Sequence, residues 1–527
     1  MAQTIGVIDL FAGPGGLGEG FSAYAQPGGR YPFKILMSVE KDRLAHATLR
    51  LRSFYRQFPP GEAPLEYYQY LRQAISRESL FSRFPRQAER AGREAVMATL
   101  GDEKRFPPET VDLWMRERLT GVKAWVLIGG PPCQAYSIAG RSRMRPVDRG
   151  RFERDDRHFL YREYLRILAA HNPPIFVMEN VKGLLSATLK GERTFDRIRL
   201  DLAAPHKALS DRNIGPKNRQ AAKGYHLYTL TRPNRNGGLF DEWTFRPSDY
   251  VIECEKYGIP QARHRVILLG VREDLDGSPR PLSPTERKTA LREVIADLPC
   301  IRSGLSEGEG SSEAWVSVIR SLVEGTPMPA GKVDGHLTRV LRERARGLDG
   351  QMDCGGEFVP QSVGIRYERE WYYDPKLGGV CNHSGRRHMA KDLLRYLYAA
   401  CFAEVFDRSP RIGNFPRSLW PEHENVMKAV EENMFADRFR VQLWGEPSTT
   451  ITSHMAKDGH HFIHPDPLQC RSLTVREAAR IQTFPDNYFF EGPRTAQYIQ
   501  VGNAVPPLLA RQIAEVVHGT LQRAGLA

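Results

Sequence analysis

Cys133, Glu179, Arg263 and Arg265 are side chains of the types that make and break bonds at carbon, and each stands beside an apolar run. Cys133 lies in Gly129-Gly130-Pro131-Pro132-Cys133-Gln134, directly after Trp125-Val126-Leu127-Ile128. A β-rich run stopped by Gly-Gly-Pro-Pro puts one thiol at the carboxyl end of a buried strand, where open α/β sheets bind their ligands. A free cysteine, with a pKa of about 8.5, is only a few per cent thiolate at neutral pH, so its neighbours decide whether it reacts or packs. Glu179 ends a second run in Val177-Met178-Glu179-Asn180-Val181, and Gln261-Ala262-Arg263-His264-Arg265 leads into a third, Val266 to Leu269. In an extended strand positions 263 and 265 share a face, so their guanidiniums are expected to converge. Together the four suit covalent attack on a heteroaromatic ring: a nucleophile, a proton donor for a ring nitrogen, and cations for developing oxyanion charge. Taken singly, core packing, helix capping and a solvated edge explain each equally well, and the combination carries the inference.

The elements that must position these groups are short apolar strands at 5–11, 35–40, 125–128, 175–179 and 266–271, alternating with helix-compatible stretches such as 160–170. That is the βαβ pattern of an α/β fold with a mixed, mainly parallel sheet. The expected catalytic domain is 1–274, with Arg- and Tyr-rich 43–99 and basic 186–249 exceeding ordinary loop lengths and read as insertions. Alternation fades after that, the Gly/Ser/Glu-rich stretch 303–313 reads as a linker, and 275–470 is expected to be a smaller, irregular second domain. Helical periodicity returns at 474–482 and 506–519, so 471–527 is expected to finish back on the first domain.

Asp9-Leu10-Phe11-Ala12-Gly13-Pro14-Gly15-Gly16-Leu17-Gly18 follows the first strand and precedes a helix. Glycines there let backbone approach a ligand, and an acid ending the next strand, Glu40, is placed to hold ribose hydroxyls. The pair points to a nucleoside-type cofactor. Asp102, in Gly101-Asp102, reads equally as a turn residue or as an adenine contact.

The 527 residues carry 75 Lys and Arg against 62 Asp and Glu, for a net charge of +13 and a pI near 9.4, which suits a polyanionic partner such as nucleic acid. With 41% apolar residues the chain can build a core without staples. Its 7 cysteines form no C-x-x-C pair, which argues against a disulfide framework or a cysteine zinc cluster. No apolar run approaches the length of a membrane span, and the start has no charged region followed by a signal-type stretch, so a soluble cytoplasmic protein is expected.

In order along the chain, Asp9-Leu10-Phe11-Ala12-Gly13, Gly130-Pro131-Pro132-Cys133-Gln134, Glu179-Asn180-Val181, Gln261-Ala262-Arg263-His264-Arg265, Arg476-Glu477-Ala478-Ala479-Arg480 and Gly502-Asn503-Ala504-Val505-Pro506 resemble the motifs of the DNA cytosine-5 methyltransferase family. The resemblance implies a Rossmann-like S-adenosylmethionine-dependent methyltransferase domain and double-stranded DNA as substrate, with 275–470 as the target-recognition domain. It implies that S-adenosylmethionine lies on Phe11, Gly13, Gly15, Gly16 and Pro131, with Glu40 on the ribose, Asp102 near the adenine amino group and Asn503 closing the pocket. Where the family often has an aromatic residue after the ribose acid, this chain has Lys41. The resemblance further implies that Cys133 attacks C6 of a flipped cytosine, Glu179 protonates the N3 side, Arg265 stabilises charge near O2 and Arg263 supports the site. The Arg-rich loop 134–156 is placed to close over DNA, or is simply a solvated lid. A restriction-modification or regulatory role follows, with a cognate restriction endonuclease acting separately on the same DNA, and a monomer is expected.

Residues 382–388, 438–440 and 447–452 are polar enough to face DNA, though ordinary surface polarity explains them as well. His454, His460, His461 and His464 near Cys470 match no zinc spacing and read as a hydrogen-bonded loop, so no metal is expected. A tRNA cytosine-5 methyltransferase is the nearest rival reading, and the long segment after Arg265 favours duplex DNA. A catalytically silent DNA-binding relative is opposed by the intact Cys133, Glu179 and Arg265. A nicotinamide oxidoreductase explains only the glycine loop.

Overall fold

The computed structural model describes residues 4–132, 157–189, 192–210, 223–233, 245–307, 310–328, 332–361, 364–421 and 438–527. Its centre is an eight-stranded sheet. Strands β1 (Ile5–Leu10), β2 (Phe33–Glu40), β3 (Ala95–Met97), β4 (Trp125–Gly129) and β5 (Ile175–Val181) run parallel in the order β3-β2-β1-β4-β5. The strand His264–Arg272 then joins β5 antiparallel, flanked by Tyr225–Tyr228 and Val251–Glu253. The order reverses between β1 and β4, which opens a crevice at their carboxyl ends.

Strand side chains alternate faces, and the core follows that period of two. Ile5, Val7, Val126, Ile128, Ile267 and Leu269 pack on one side against Leu508, Leu509 and Ile513 of the C-terminal helix Pro507–Arg523. Ile8, Leu10, Leu127, Phe176, Val266 and Leu268 pack on the other against Tyr164, Leu165 and Leu168 of the helix Arg157–His171. Helix α1 (Gly16–Ser22) follows the glycine loop, and α2 (Arg43–Tyr55) starts at Asp42, whose carboxylate accepts from the Leu44 and Ala45 backbone N–H groups. The stretch 43–99 is thus part scaffold, since it supplies α2 and the edge strand β3, while helices Leu65–Leu71, Arg77–Arg83 and Pro85–Glu94 lie between them. The described parts of 186–249 likewise supply the sheet strand Tyr225–Tyr228.

Residues 275–470 are more regular than fading alternation suggested. Helices Ser312–Gly325, Lys332–Arg346 and Ala390–Phe406 bury Trp315, Ile319, Leu341, Leu393, Tyr396 and Leu397 in a core of their own. A further core joins Leu291, Val294 and Leu298 to Leu473, Ala478, Phe484, Tyr498 and Val501, so the return of the chain after 470 is packed on both parts. Among the described residues no helix is long and apolar enough to cross a membrane.

Candidate active site

The glycine loop leaves β1 through Phe11 at φ 58° and Gly13 at φ 59°, and Gly15 at φ 103° precedes α1. Left-handed backbone at a phenylalanine is uncommon and persists only where its surroundings fix it. Here the Ala12 N–H donates to Val39 O at 3.0 Å and the Gly15 N–H to Ala12 O at 2.9 Å. Glu40, at the end of β2, accepts from the Gly13 N–H at 2.8 Å and the Asp42 N–H at 2.7 Å. Burial raises its carboxyl pKa and these backbone donors oppose the rise. The inner side of the loop is closed: a Cβ on Gly16 would lie 2.3 Å from Val505 O, and one on Gly20 2.3 Å from Pro507 O. Its outer side is open, because a Cβ on Gly13 would meet nothing within 4 Å. Backbone that is approachable from outside, with a fixed carboxylate beside it, fits a nucleoside ligand.

Asp102 caps a turn, accepting from the Arg105 N–H at 3.3 Å through its side chain while its carbonyl takes the Phe106 N–H at 2.7 Å. Asn503 is exposed at the end of the helix Arg494–Asn503, two residues before the Val505 that closes on Gly16. Asp9 is fully buried near the carboxyl end of β1, and burial pushes its carboxyl up to about 8 despite Arg56 and the nearby Gly18 backbone. No hydrogen bond of ordinary geometry reaches either of its oxygens. An acid that is harder to ionise folded than unfolded costs stability as pH rises from about 4 to about 8, and the cost is complete above that. Asp9→Asn is therefore expected to gain melting temperature over the parent progressively across that window and to hold the gain at higher pH, measured by thermal melts without ligand.

At the other side of the crevice, Glu179 near the end of β5 pairs with Arg265, Oε1 to Nε at 3.0 Å, and the two side chains keep 14% and 13% exposure. The register of the antiparallel pair sets this meeting, with Ile267 opposite Glu179 and Arg265 opposite Val181. Gly130 lies against the same carboxylate, for a Cβ there would stand 2.9 Å from Glu179 Oε2. Asn180 Nδ2 donates to the buried Pro131 carbonyl at 3.1 Å, which ties the chain leaving β4 to β5. Cys133 and the loop 134–156 lie outside the described residues, and Pro132 is the last described position before them.

Arg263 lies within electrostatic reach of Arg265 and Glu179 but directs its hydrogen bonds elsewhere, which corrects the expectation that an unbroken strand brings both guanidiniums to one site. The strand is interrupted at Arg263, between the pair Gln261–Ala262 and the strand starting at His264. Its guanidinium is buried and donates to Ile451 O at 2.7 Å, Gly502 O at 3.1 Å and Ala504 O at 2.9 Å. Burial, with Arg265 nearby, lowers its pKa to about 9. Gln261 works beside it, accepting from the Ile451 N–H at 2.7 Å and donating to Gln482 Oε1 at 2.5 Å, while Gln482 Nε2 reaches Val501 O and Ala504 O. In the sequence Asn180 and Gln261 stand as members of motifs without a role of their own, and Gln482 is not singled out at all. Their signal was a polar amide inside an otherwise apolar stretch, which must be hydrogen-bonded when buried.

The segment 382–388 is largely internal. Asn382 and His383 are buried in a strand, Val380–Ser384, paired with Gly355–Val359, and His383 contacts Thr474 Oγ1 and Pro299 O. Ser448 is buried also. His464 faces Glu477 at 3.5 Å and His460 meets the Tyr396 hydroxyl at 2.8 Å, in keeping with a hydrogen-bonded loop.

The model of the C-5 cytosine-specific DNA methylase family matches residues 111–204 and 239–519. The chain is 33% identical to the type II methyltransferase M.Bpa9945I of Bacillus paralicheniformis, over 97% of this chain and 99% of that protein. It is 27% identical to the DNA (cytosine-5-)-methyltransferase M.ApeKI of Aeropyrum pernix, over 76% of this chain and 82% of the relative. Among solved structures, a DNA modification methyltransferase encoded within an E. coli prophage superposes with a TM-score of 0.51 at 18% identity, covering 98% of this chain and 100% of that one, a likeness of fold. With a glycine loop and fixed carboxylate at β1 and β2, a carboxylate–guanidinium pair at β5 that lies within the span of the family model, and a relative 33% identical over nearly the whole chain, the chain belongs to the C-5 cytosine-specific DNA methylases and is an S-adenosylmethionine-dependent DNA (cytosine-5-)-methyltransferase.

Proposed function

We propose that this enzyme methylates a cytosine swung out of duplex DNA, through a transient bond between Cys133 and C6, within a sequence chosen by residues 275–470. The observation that carries the reading is Glu179 set against both Arg265 and Gly130, with the chain then running through Pro131 to Cys133 two residues later. Inside a base stack C6 and C5 are covered, so extrusion is required and costs a few kcal/mol that backbone contacts offset. The Cys133 thiolate adds to C6, Glu179 gives a proton to N3, and the electron pair displaced from the C5–C6 bond makes C5 nucleophilic. Arg265 bears on the charge at O2 and orients Glu179. Phe11, Gly13, Gly15, Gly16, Glu40, Asp102, Pro131 and Asn503 would hold S-adenosylmethionine, which would supply an electrophilic methyl for C5 and leave as the thioether S-adenosylhomocysteine. Glu179 takes the N3 proton back, water accepts the C5 proton, and the electron pair left at C5 expels the Cys133 sulfur as thiolate, which restores the aromatic ring. Arg263 acts on this site as a positioning residue, through the 451 and 502–504 backbone.

The full-length match to a type II methyltransferase supports a modification role beside a separate endonuclease. Expressed beside a plasmid, the enzyme is expected to leave cytosines in one short sequence context resistant to bisulfite conversion, and Cys133→Ala is expected to leave none. Methylated tRNA with an unmodified plasmid would overturn the DNA reading.

A further inference from the structure

The helix Leu65–Leu71, inserted between α2 and β3, sends three tyrosine hydroxyls to partners more than 300 positions away. Tyr67 donates to Asn487 O at 3.1 Å, Tyr68 to Asp374 Oδ2 at 2.8 Å and Tyr70 to Glu491 Oε1 at 2.6 Å. Asp374 belongs to 275–470, and Asn487 to a turn that also touches the donor loop: Tyr488 donates its hydroxyl to Pro14 O and stands 3.0 Å from where a Gly15 Cβ would be. Asn487 is 7% exposed and bonded on both ends of its amide. Its Oδ1 accepts from Arg52 Nη1 at 2.9 Å, and its Nδ2 donates to Asp374 Oδ2 at 2.7 Å. Arg52 in turn reaches Glu19 Oε2 of α1 at 2.9 Å, and its guanidinium lies 4.0 Å from the Tyr55 ring centre and 4.9 Å from that of Tyr488.

An unbroken line of hydrogen bonds therefore runs from Glu19, on the helix that follows the glycine loop, through Arg52, Asn487 and Asp374 to Tyr68. Buried polar lines of this kind admit few arrangements, because a shift of either end strands a group without a partner. Lys376 Nζ to Gly61 O at 2.7 Å and Arg72 Nε to Leu377 O at 2.9 Å fasten the same strap, 374–377, to the insertion from outside. None of these residues lines the Glu179–Arg265 pair.

We infer that Asn487 is a positioning residue that fixes where the target-recognition region stands relative to the methyl-donor loop, with the Tyr68 helix as its brace. The inference rests on reading 275–470 as that region, and one experiment separates the two. The context methylated by the parent enzyme on a bisulfite-sequenced plasmid tests the reading, while the variants test the inference. Asn487→Asp keeps the size and the bond from Arg52 but turns a carboxylate on Asp374. It is expected to lower kcat/KM on the parent's own site by about tenfold, with methylation spreading to sites differing by one base pair and S-adenosylmethionine affinity unchanged. Pairing it with Asp374→Asn reverses the donor and acceptor, since Asn at 374 with its Nδ2 in the place of Oδ2 can donate one N–H to Asp at 487 and the other to the Tyr68 hydroxyl oxygen, and is expected to restore both rate and context. Should Asn487→Asp not fold, Tyr68→Phe removes one bond to the same carboxylate and is expected to shift rate and context in the same direction by less. Parent-like rate and context in the single variant, a double variant as poor as the single, or an equal loss of S-adenosylmethionine affinity would each overturn the inference.

Discussion

Glu179→Gln is expected to lower the rate of DNA methylation by about 10²–10⁴-fold, the range a positioned acid contributes. Glutamine keeps the shape and an acceptor for Arg265 Nε but has no proton to give to N3. The parent pair is largely buried, at 14% and 13% exposure, so the Arg265 charge left without its partner costs some stability, and the rates are compared where both proteins are fully folded. The donor loop, held by Glu40 some distance away along the sheet, is untouched, and S-adenosylmethionine binding measured by calorimetry should match the parent. A variant that methylates at the parent rate would remove Glu179 from the reaction.

Arg263→Met acts on the other kind of site. It removes a buried guanidinium from three carbonyls, leaving Ile451 O and Gly502 O without that donor while Ala504 O keeps Gln482 Nε2. Each such orphan costs about 1–3 kcal/mol, and relief of burying the cation returns part of it, so a net loss of about 3 kcal/mol is expected. The pKa drawn down to about 9 is a sign of how costly that buried charge is. Urea unfolding should show the lowered midpoint, and S-adenosylmethionine affinity should fall with it because Val505 O no longer closes firmly on Gly16. Arg263→Met with an unchanged midpoint and lost turnover alone would return Arg263 to the reaction centre.

The contrast between the two arginines shows what was legible in the sequence. Motif order points to Glu179, Arg265 and the glycine loop, and strand-end position points to Glu40, because each sits at a strand end whose apolar run announces it. Alternation puts Arg263 on the face of Arg265, and the two cations do lie near one another, but it assumes an uninterrupted strand; the break after Ala262 turns the hydrogen bonds of Arg263 toward the C-terminal motifs. Polarity suggested that 382–388 faces DNA, yet strand pairing at Val380–Ser384 takes Asn382 and His383 inside, where Asn382 Oδ1 accepts from the Phe490 N–H at 3.0 Å. The tyrosines at 67, 68 and 70 are readable as a helical cluster and no more, since their partners at 374, 487 and 491 are set by the fold of distant segments. Local pattern reports the strand ends; it is silent on long-range polar joints.

The most direct measurement is of the bond at Cys133. A duplex carrying 5-fluorocytosine at the methylated position blocks the last step, because fluorine at C5 cannot leave as a proton and the Cys133 sulfur is not released. With S-adenosylmethionine present, the account predicts a protein–DNA adduct that survives denaturant, heavier than its parts by one methyl group, with the DNA strand mapped to Cys133 by peptide mass. An enzyme that methylates the ordinary duplex but forms no such adduct, or forms it at another residue, would contradict it.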